Sequence, residues 1–207
     1  MKILHSLATG LVPPLCAACG RSCRPGAFAC TRCTRRLADA KPIAGGGPQG
    51  LDRCWSSASH EGVARDLVTA LKFRRLLPVA GLMAERIEWL APASLLSGSI
   101  VPVPTSPLRT LRRGFDPAAE IASALAELTG LTLSTCLGRS GGGRQVGRRR
   151  GERLGHPPRV RPKAEVPRSV LLLDDVLTTG ATLSACARAL RSAGAVRVVA
   201  ITFTRRL

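Results

Sequence analysis

Residues 170–182, Val-Leu-Leu-Leu-Asp-Asp-Val-Leu-Thr-Thr-Gly-Ala-Thr, carry the side chains best suited to chemistry in this chain. Val170 to Leu173 read as a buried strand, with Asp174 and Asp175 at its C-terminal end. Thr178, Thr179, Gly180, Ala181 and Thr182 then form a hydroxyl-rich turn that opens a helix. In open parallel sheets, ligands sit just beyond the carboxyl ends of the strands. A helix N-terminus offers unbonded N–H groups and the positive end of its dipole to a phosphate. Gly180 allows close backbone approach, and the threonine hydroxyls add hydrogen bonds. The acidic pair can accept from ribose hydroxyls or hold Mg²⁺ through water, because hard cations take oxygen ligands. The segment is expected to bind a sugar phosphate. The plainer alternative is a turn with a helix cap.

A second set of reactive side chains lies near the start of the chain. Five of the eight cysteines fall within residues 16–33. Cys16 and Cys19 form one C-x-x-C, and Cys30 and Cys33 form another. Two such knuckles supply the four thiolates of a tetrahedral structural zinc site. Gly20 follows the first knuckle, and Arg21 to Ala29 has the length of a small β-hairpin. Disulfides are the alternative, disfavoured in a reducing compartment. Cys23 is an additional candidate ligand. Cys54, beside Trp55, is expected at the junction of two modules, and Cys136 and Cys186 read as core residues.

The elements that must position these residues follow from pattern and composition. The chain has 207 residues, enough for one ordinary domain and a small module. Hydrophobic residues make up 45% and aromatics only 3%, so the core is aliphatic. Residues 1–40 are expected to hold an N-terminal amphipathic helix, with Ile3, Leu4, Leu7 and Leu11 on one face, and the zinc ribbon. Residues 41–54, rich in Gly and Pro, read as a linker, and 55–207 as the larger domain. In that domain, helices are predicted over Glu61–Arg75 and Leu77–Leu90, and a strand over Ser99–Val103. An arginine-rich loop follows, with Arg109, Arg112 and Arg113, and then a helix capped by Asp116. Leu131–Leu137 is a candidate strand, and Gly141–Pro162 reads as a mobile loop. A final helix over Gly180–Ala193 and a strand over Val196–Phe203 complete an alternating pattern, which implies an α/β fold with a parallel sheet flanked by helices.

Charge narrows the partners. Lys and Arg number 31 against 13 Asp and Glu, a formal +18, and such a field attracts phosphorylated ligands and nucleic acid. No apolar run approaches the roughly 20 residues of a membrane-spanning helix. The N-terminal stretch is broken by Pro13 and Pro14, unlike a signal peptide, so a cytoplasmic location is expected. No side chain is identified as a general base.

The motifs together resemble the ComF-type family, whose members join an N-terminal zinc ribbon to a type I phosphoribosyltransferase domain. The resemblance rests on the Cys16–Gly20 knuckle, the second knuckle at Cys30, Leu71-Lys72-Phe73, Val101-Pro-Val-Pro104, Arg112–Phe115, Arg139 with Gln145, and the 174–182 run. It implies that Asp174 and Asp175 contact ribose hydroxyls, that the Thr-rich turn cradles a 5′-phosphate, and that Mg²⁺ accompanies phosphoribosyl diphosphate; Lys72, Arg112 and Arg113 are then candidates for stabilising the leaving diphosphate, and Arg139, Arg144, Gln145 and Arg148–Arg150 for a closing lid. It also implies a role in natural competence, handling incoming single-stranded DNA beside DNA-handling proteins. Asp116-Pro117 stands where the family usually has Asn-Gln, and Arg148–Leu154 lacks the family's Asn. Two readings follow: a phosphoribosyltransferase, or a non-catalytic adaptor for single-stranded DNA or a partner protein with a vestigial or regulatory nucleotide pocket. A ribbon-containing transcription factor would leave residues 170–182 unused.

Overall fold

The computed structural model describes residues 14–45, 47–139 and 159–207. The sheet forms around two interior strands, β6 (Ser169–Leu177) and β7 (Arg197–Arg205). Both are apolar on both faces, the composition of a strand covered by helices on either side. The strand order is β1-β2-β7-β6-β3, with β1 (Ile43–Ala44), β2 (Arg53–Ser59) and β3 (Ser99–Pro102) completing it. β2, β7, β6 and β3 are parallel, and β1 is an antiparallel edge on β2.

The two-residue period of the strands divides the core. Leu171, Leu173, Val199, Ile201 and Phe203 pack with residues of α2 (Gly62–Arg74), α3 (Val79–Leu90) and α5 (Pro117–Thr129). The alternate residues Val170, Leu172, Val198 and Ala200 pack with Leu183, Cys186 and Leu190 of α6 (Ala181–Ser192) on the opposite face. Cys54, Cys136 and Cys186 are all buried in this second cluster. A separate antiparallel pair, β4 (Leu137–Arg139) and β5 (Val160–Pro162), lies beside α6. The fold is α/β with a mostly parallel sheet flanked by helices, as its periodicity predicts.

Several local expectations are corrected. The arginine-rich loop after β3 is a short helix, α4 (Pro107–Arg113), which Pro107 starts and Gly114 (φ 86°) stops. The 131–137 strand reduces to a single bridge from Leu133 to Ile100, and regular pairing begins only at Leu137. Residues 21–29 form turns and no hairpin, the Leu15–Ser22 bridge flanks the first knuckle, and α1 (Thr31–Ala38) starts directly after Cys30. β6 continues beyond the acids to Leu177. Residues 41–54, expected as a linker, contain β1 and are tied into the sheet: Asp52 Oδ2 accepts from the Val198 N–H at 2.8 Å, and its Oδ1 pairs with Arg191 at 2.5 Å. The predicted N-terminal helix, the lid candidates Arg144 and Gln145, and Arg148–Arg150 lie outside the described residues.

Candidate functional site

The cysteine cluster is built by two short turns. The Gly20 N–H donates to the Cys16 carbonyl at 2.9 Å with Gly20 in the left-handed region (φ 72°), which folds the first knuckle back on itself. The second knuckle spans the N-terminus of α1, where Cys33 is buried. One ligand atom from each of Cys16, Cys19, Cys30 and Cys33 lies within 4.8 Å of the others. The Cys19 and Cys30 sulfurs are 3.7 Å apart. A tetrahedron with metal–sulfur bonds of about 2.3 Å has edges near that length, so the donor set fits a structural zinc. Burial opposes ionisation of Cys16, but N–H groups of Cys19, Cys30 and Ala18 bring its thiol down to about 6. The Cys33 N–H lowers the Cys30 thiol. Burial and the neighbouring sulfurs raise Cys33. A positive ion at the centre relieves that crowding of thiolates. Cys23 is outside the four, and burial and the cluster's charge raise its thiol.

The ribbon is docked onto the main body. Ala17 and Leu37 belong to the larger core cluster, the Arg74 guanidinium donates to the Ala17 carbonyl at 2.9 Å, and Arg86 donates to the carbonyls of Ala40 (2.6 Å) and Ser57 (3.0 Å).

The second set of groups gathers at the carboxyl edge of the sheet. Asp174 and Asp175 are adjacent in a strand, so they leave on opposite faces. Asp175 meets Lys72 of α2, with Nζ 2.6 Å from Oδ2. The Asp174 carboxylate accepts from the Asp175 N–H at 2.9 Å and acts electrostatically on Cys186 of α6, on the other face. Burial, reinforced by Asp174, pushes the Cys186 thiol up to about 12, while Arg139 works in the opposite direction. Arg139 ends β4, whose partner β5 lies beside α6. After Leu177 the chain turns through exposed Thr178 and Thr179 to Gly180, which has φ 75° and caps α6. The first intrahelical donor is the Ser184 N–H to the Gly180 carbonyl at 2.9 Å, so the N–H groups of Thr182 and Leu183 precede the ladder and point out of the helix end.

The diphosphate-side candidates divide. Lys72 is on the acids. Arg113 instead lies over the Phe73 ring at 5.7 Å, and Arg75 donates to the Arg112 carbonyl at 3.2 Å. α4 is thus fastened to the end of α2.

No protein-family model matches the chain. Over 107 residues, 51% of the chain, it is 32% identical to the competence protein ComFC of Streptococcus pneumoniae (strain ATCC BAA-255 / R6). With the four-cysteine cluster, this supports a ComF-family protein. The match covers 47% of that relative, about half its length. No helix among the described residues is long and apolar enough to cross a membrane.

Three features of this site escaped the sequence reading. His60 follows β2, and its Nδ1 lies 2.8 Å from Thr204 Oγ1 at the end of β7. Burial first, then the charges of Arg206 and Lys72, lower its pKa below 6.5 and favour the neutral ring. Its place at a strand's carboxyl end was the available signal. Asp116 does more than cap α5: its oxygens accept from the N–H (2.8 Å) and hydroxyl (3.0 Å) of Thr105, and its charge reaches Asp174. Pro48 packs against Gly180, so closely that a Cβ there would fall 2.3 Å from Pro48 Cγ.

Asp174 yields a test of electrostatic strain. Burial, then the Asp175 charge, raises its pKa well above 3.8, outweighing the Asp175 N–H and Lys72. The folded state holds this proton more tightly than the unfolded state, so stability falls as pH rises from 3.8 toward the folded pKa. Asp174→Asn is therefore expected to melt above wild type at pH 7, with the gap closing toward pH 4. Calorimetric melting across that range checks it; a gap independent of pH contradicts it.

Proposed function

We propose that this chain binds a phosphorylated ribose, as phosphoribosyl diphosphate or a nucleotide, at the carboxyl end of β6, and acts in natural competence and DNA uptake in the cytoplasm. The observation that carries the reading is the β6–α6 turn: Gly180 at φ 75° exposes the first N–H groups of α6 directly after two carboxylates. A 5′-phosphate accepts from the N–H groups and hydroxyls of Thr178–Thr182, Gly180 and Ala181 included through their backbone. Asp174 and Asp175 accept from the ribose hydroxyls. Lys72, 2.6 Å from Asp175, sits where it can exchange that partner for a ligand phosphate.

Cys16, Cys19, Cys30 and Cys33 hold structural zinc in this reading. Magnesium fits only as a companion of the ligand: among the described residues the acids of β6 form no cluster of three or more ligating groups, so the diphosphate must supply most of its oxygens. When bound, it neutralises charge on the departing diphosphate. In an enzyme, the phosphoribosyl group passes to a nucleophile, often a nitrogenous base, and Lys72, Arg112 and Arg113 stabilise the leaving group. The placement of Arg113 over Phe73 favours the second reading, in which the pocket binds without turnover and the protein serves as an adaptor for single-stranded DNA or a partner protein.

Titration calorimetry with phosphoribosyl diphosphate and magnesium tests the pocket. Saturable heat is expected, with affinity about 10–100-fold lower in Thr179→Ala, the worth of a hydrogen bond to a charged group. Absence of heat, or equal affinity in the variant, overturns the assignment. Release of diphosphate on adding nitrogenous bases separates transferase from adaptor.

A further inference from the structure

The short helix α4 has no buried residue along its length of 7 residues. So short a helix is unstable in water by itself, and tertiary packing of an apolar face normally holds such an element in place. Here the apolar residues face outward: Leu108 is 65% and Leu111 81% exposed, and Phe73, linked to α4 through Arg113, is 72% exposed. Leu108 and Leu111 stand three apart and share one side of the helix. Arg112 and Arg109 follow around the same surface and lead to Arg113 over the Phe73 ring. Among the described residues, none of Arg75, Arg109, Arg112 and Arg113 forms an ion pair.

We propose that α4 and the end of α2 form a docking surface for an acidic peptide segment of a partner protein, one that inserts apolar side chains between the leucines and Phe73 and sets carboxylates against the arginines. Charge complementarity selects the occupant. A second copy of this chain brings the same unpaired arginines and a formal charge of +18, so self-association through this face is repelled. Nucleic acid matches the charge but leaves two exposed leucines without purpose, and one face of Phe73, the aromatic ring of the patch, is already covered by Arg113. An acidic segment with apolar anchors satisfies both features, in the manner of an amphipathic helix laid on an apolar surface. The surface shares Arg112 and Arg113 with the transferase reading, so its test uses Leu108, Leu111 and Arg109, to which that reading gives no role.

The test is a random peptide library displayed on phage and selected on the full chain. Selected peptides are expected to be net acidic with apolar residues three or four apart. As synthetic peptides they should bind wild type at least about tenfold more tightly than Leu108→Ser/Leu111→Ser, a difference near 1.4 kcal/mol. Arg109→Glu should weaken them as well. Both variants alter exposed side chains, so zinc content, melting temperature and heat with phosphoribosyl diphosphate should match wild type. Selected peptides that bind wild type and the leucine variant equally overturn the proposal. So does a thymidylate oligonucleotide whose binding the leucine substitutions weaken by the same factor, an outcome that assigns the surface to nucleic acid.

Discussion

Replacing Cys19 with serine should strip the metal from the chain and melt the ribbon off the larger body. Cys19 is the exposed member of the cluster, so the substitution removes a ligand with little change in packing. Segments of this size cannot bury enough apolar surface to fold alone, and structural zinc contributes roughly 10–16 kcal/mol in comparable small sites. Only part of that reaches the rest of the protein, through Ala17 and Leu37 in the core and the contacts of Arg74 and Arg86. If about 3–5 kcal/mol is shared, the melting temperature falls by roughly 6–20 °C for a chain of this size. Elemental analysis by plasma mass spectrometry should find about one zinc per wild-type chain, the stoichiometry of a four-thiolate site, and little in the variant. Zinc-free wild type, or a variant that keeps its zinc and its melting temperature, would remove the structural role assigned to these thiols.

Gly180→Ala has the second largest expected effect, and it acts in two ways. The left-handed backbone at φ 75° costs an alanine about 1–2 kcal/mol. The new Cβ also falls 2.3 Å from Pro48 Cγ and 2.9 Å from its Cβ, so one backbone must shift, at a typical cost of about 1–3 kcal/mol. Together these lower the melting temperature by roughly 4–20 °C. The shift displaces the N–H groups that open α6, so the heat with phosphoribosyl diphosphate should vanish as well. Adding Pro48→Gly relieves the overlap but not the backbone conformation, and should recover part of the stability. A Gly180→Ala protein that melts and binds like wild type would show that the turn tolerates a side chain and that its glycine is not needed for close approach.

The Gly180 contact also changes the meaning of residues 41–54. By composition they are a spacer between ribbon and domain. In the fold they form an edge strand, anchor Asp52 to β7 and lay Pro48 over the turn that opens α6. Glycine and proline content reports local conformational preference; it carries no information about what the segment passes. The same reasoning explains α4. The arginine-rich stretch lacks the apolar periodicity of a buried helix because none of its residues is buried, and proline and glycine at its ends set its length.

Much of the rest was legible because it is local. Helices α2, α3, α5 and α6 fall within a few residues of their apolar periodicity, and the Asp116 cap is present, accepting from the Ala118 N–H. The strand leading to the acids was recognisable from Val170–Leu173, while its continuation to Leu177 was not. That continuation depends on pairing of Val176 and Leu177 with Thr204 and Arg205 of β7. The 131–137 strand failed for the complementary reason: it finds one bridge to β3 and no continuous partner.

The sequence by itself determined the candidate ligand set and the turn: four cysteines in two knuckles, and carboxylates followed by a glycine-bearing helix start, because both are written in spacings of a few residues. Strand alternation already sends Asp174 and Asp175 to opposite faces; tertiary structure alone decided that one face meets Lys72 of α2 and the other meets α6. It decided that Lys72 rather than an α4 arginine stands on Asp175, and that Arg113 covers Phe73. These pairings follow from strand order and register. Those are fixed by the collective burial of two apolar faces, to which every strand contributes and which no single motif encodes.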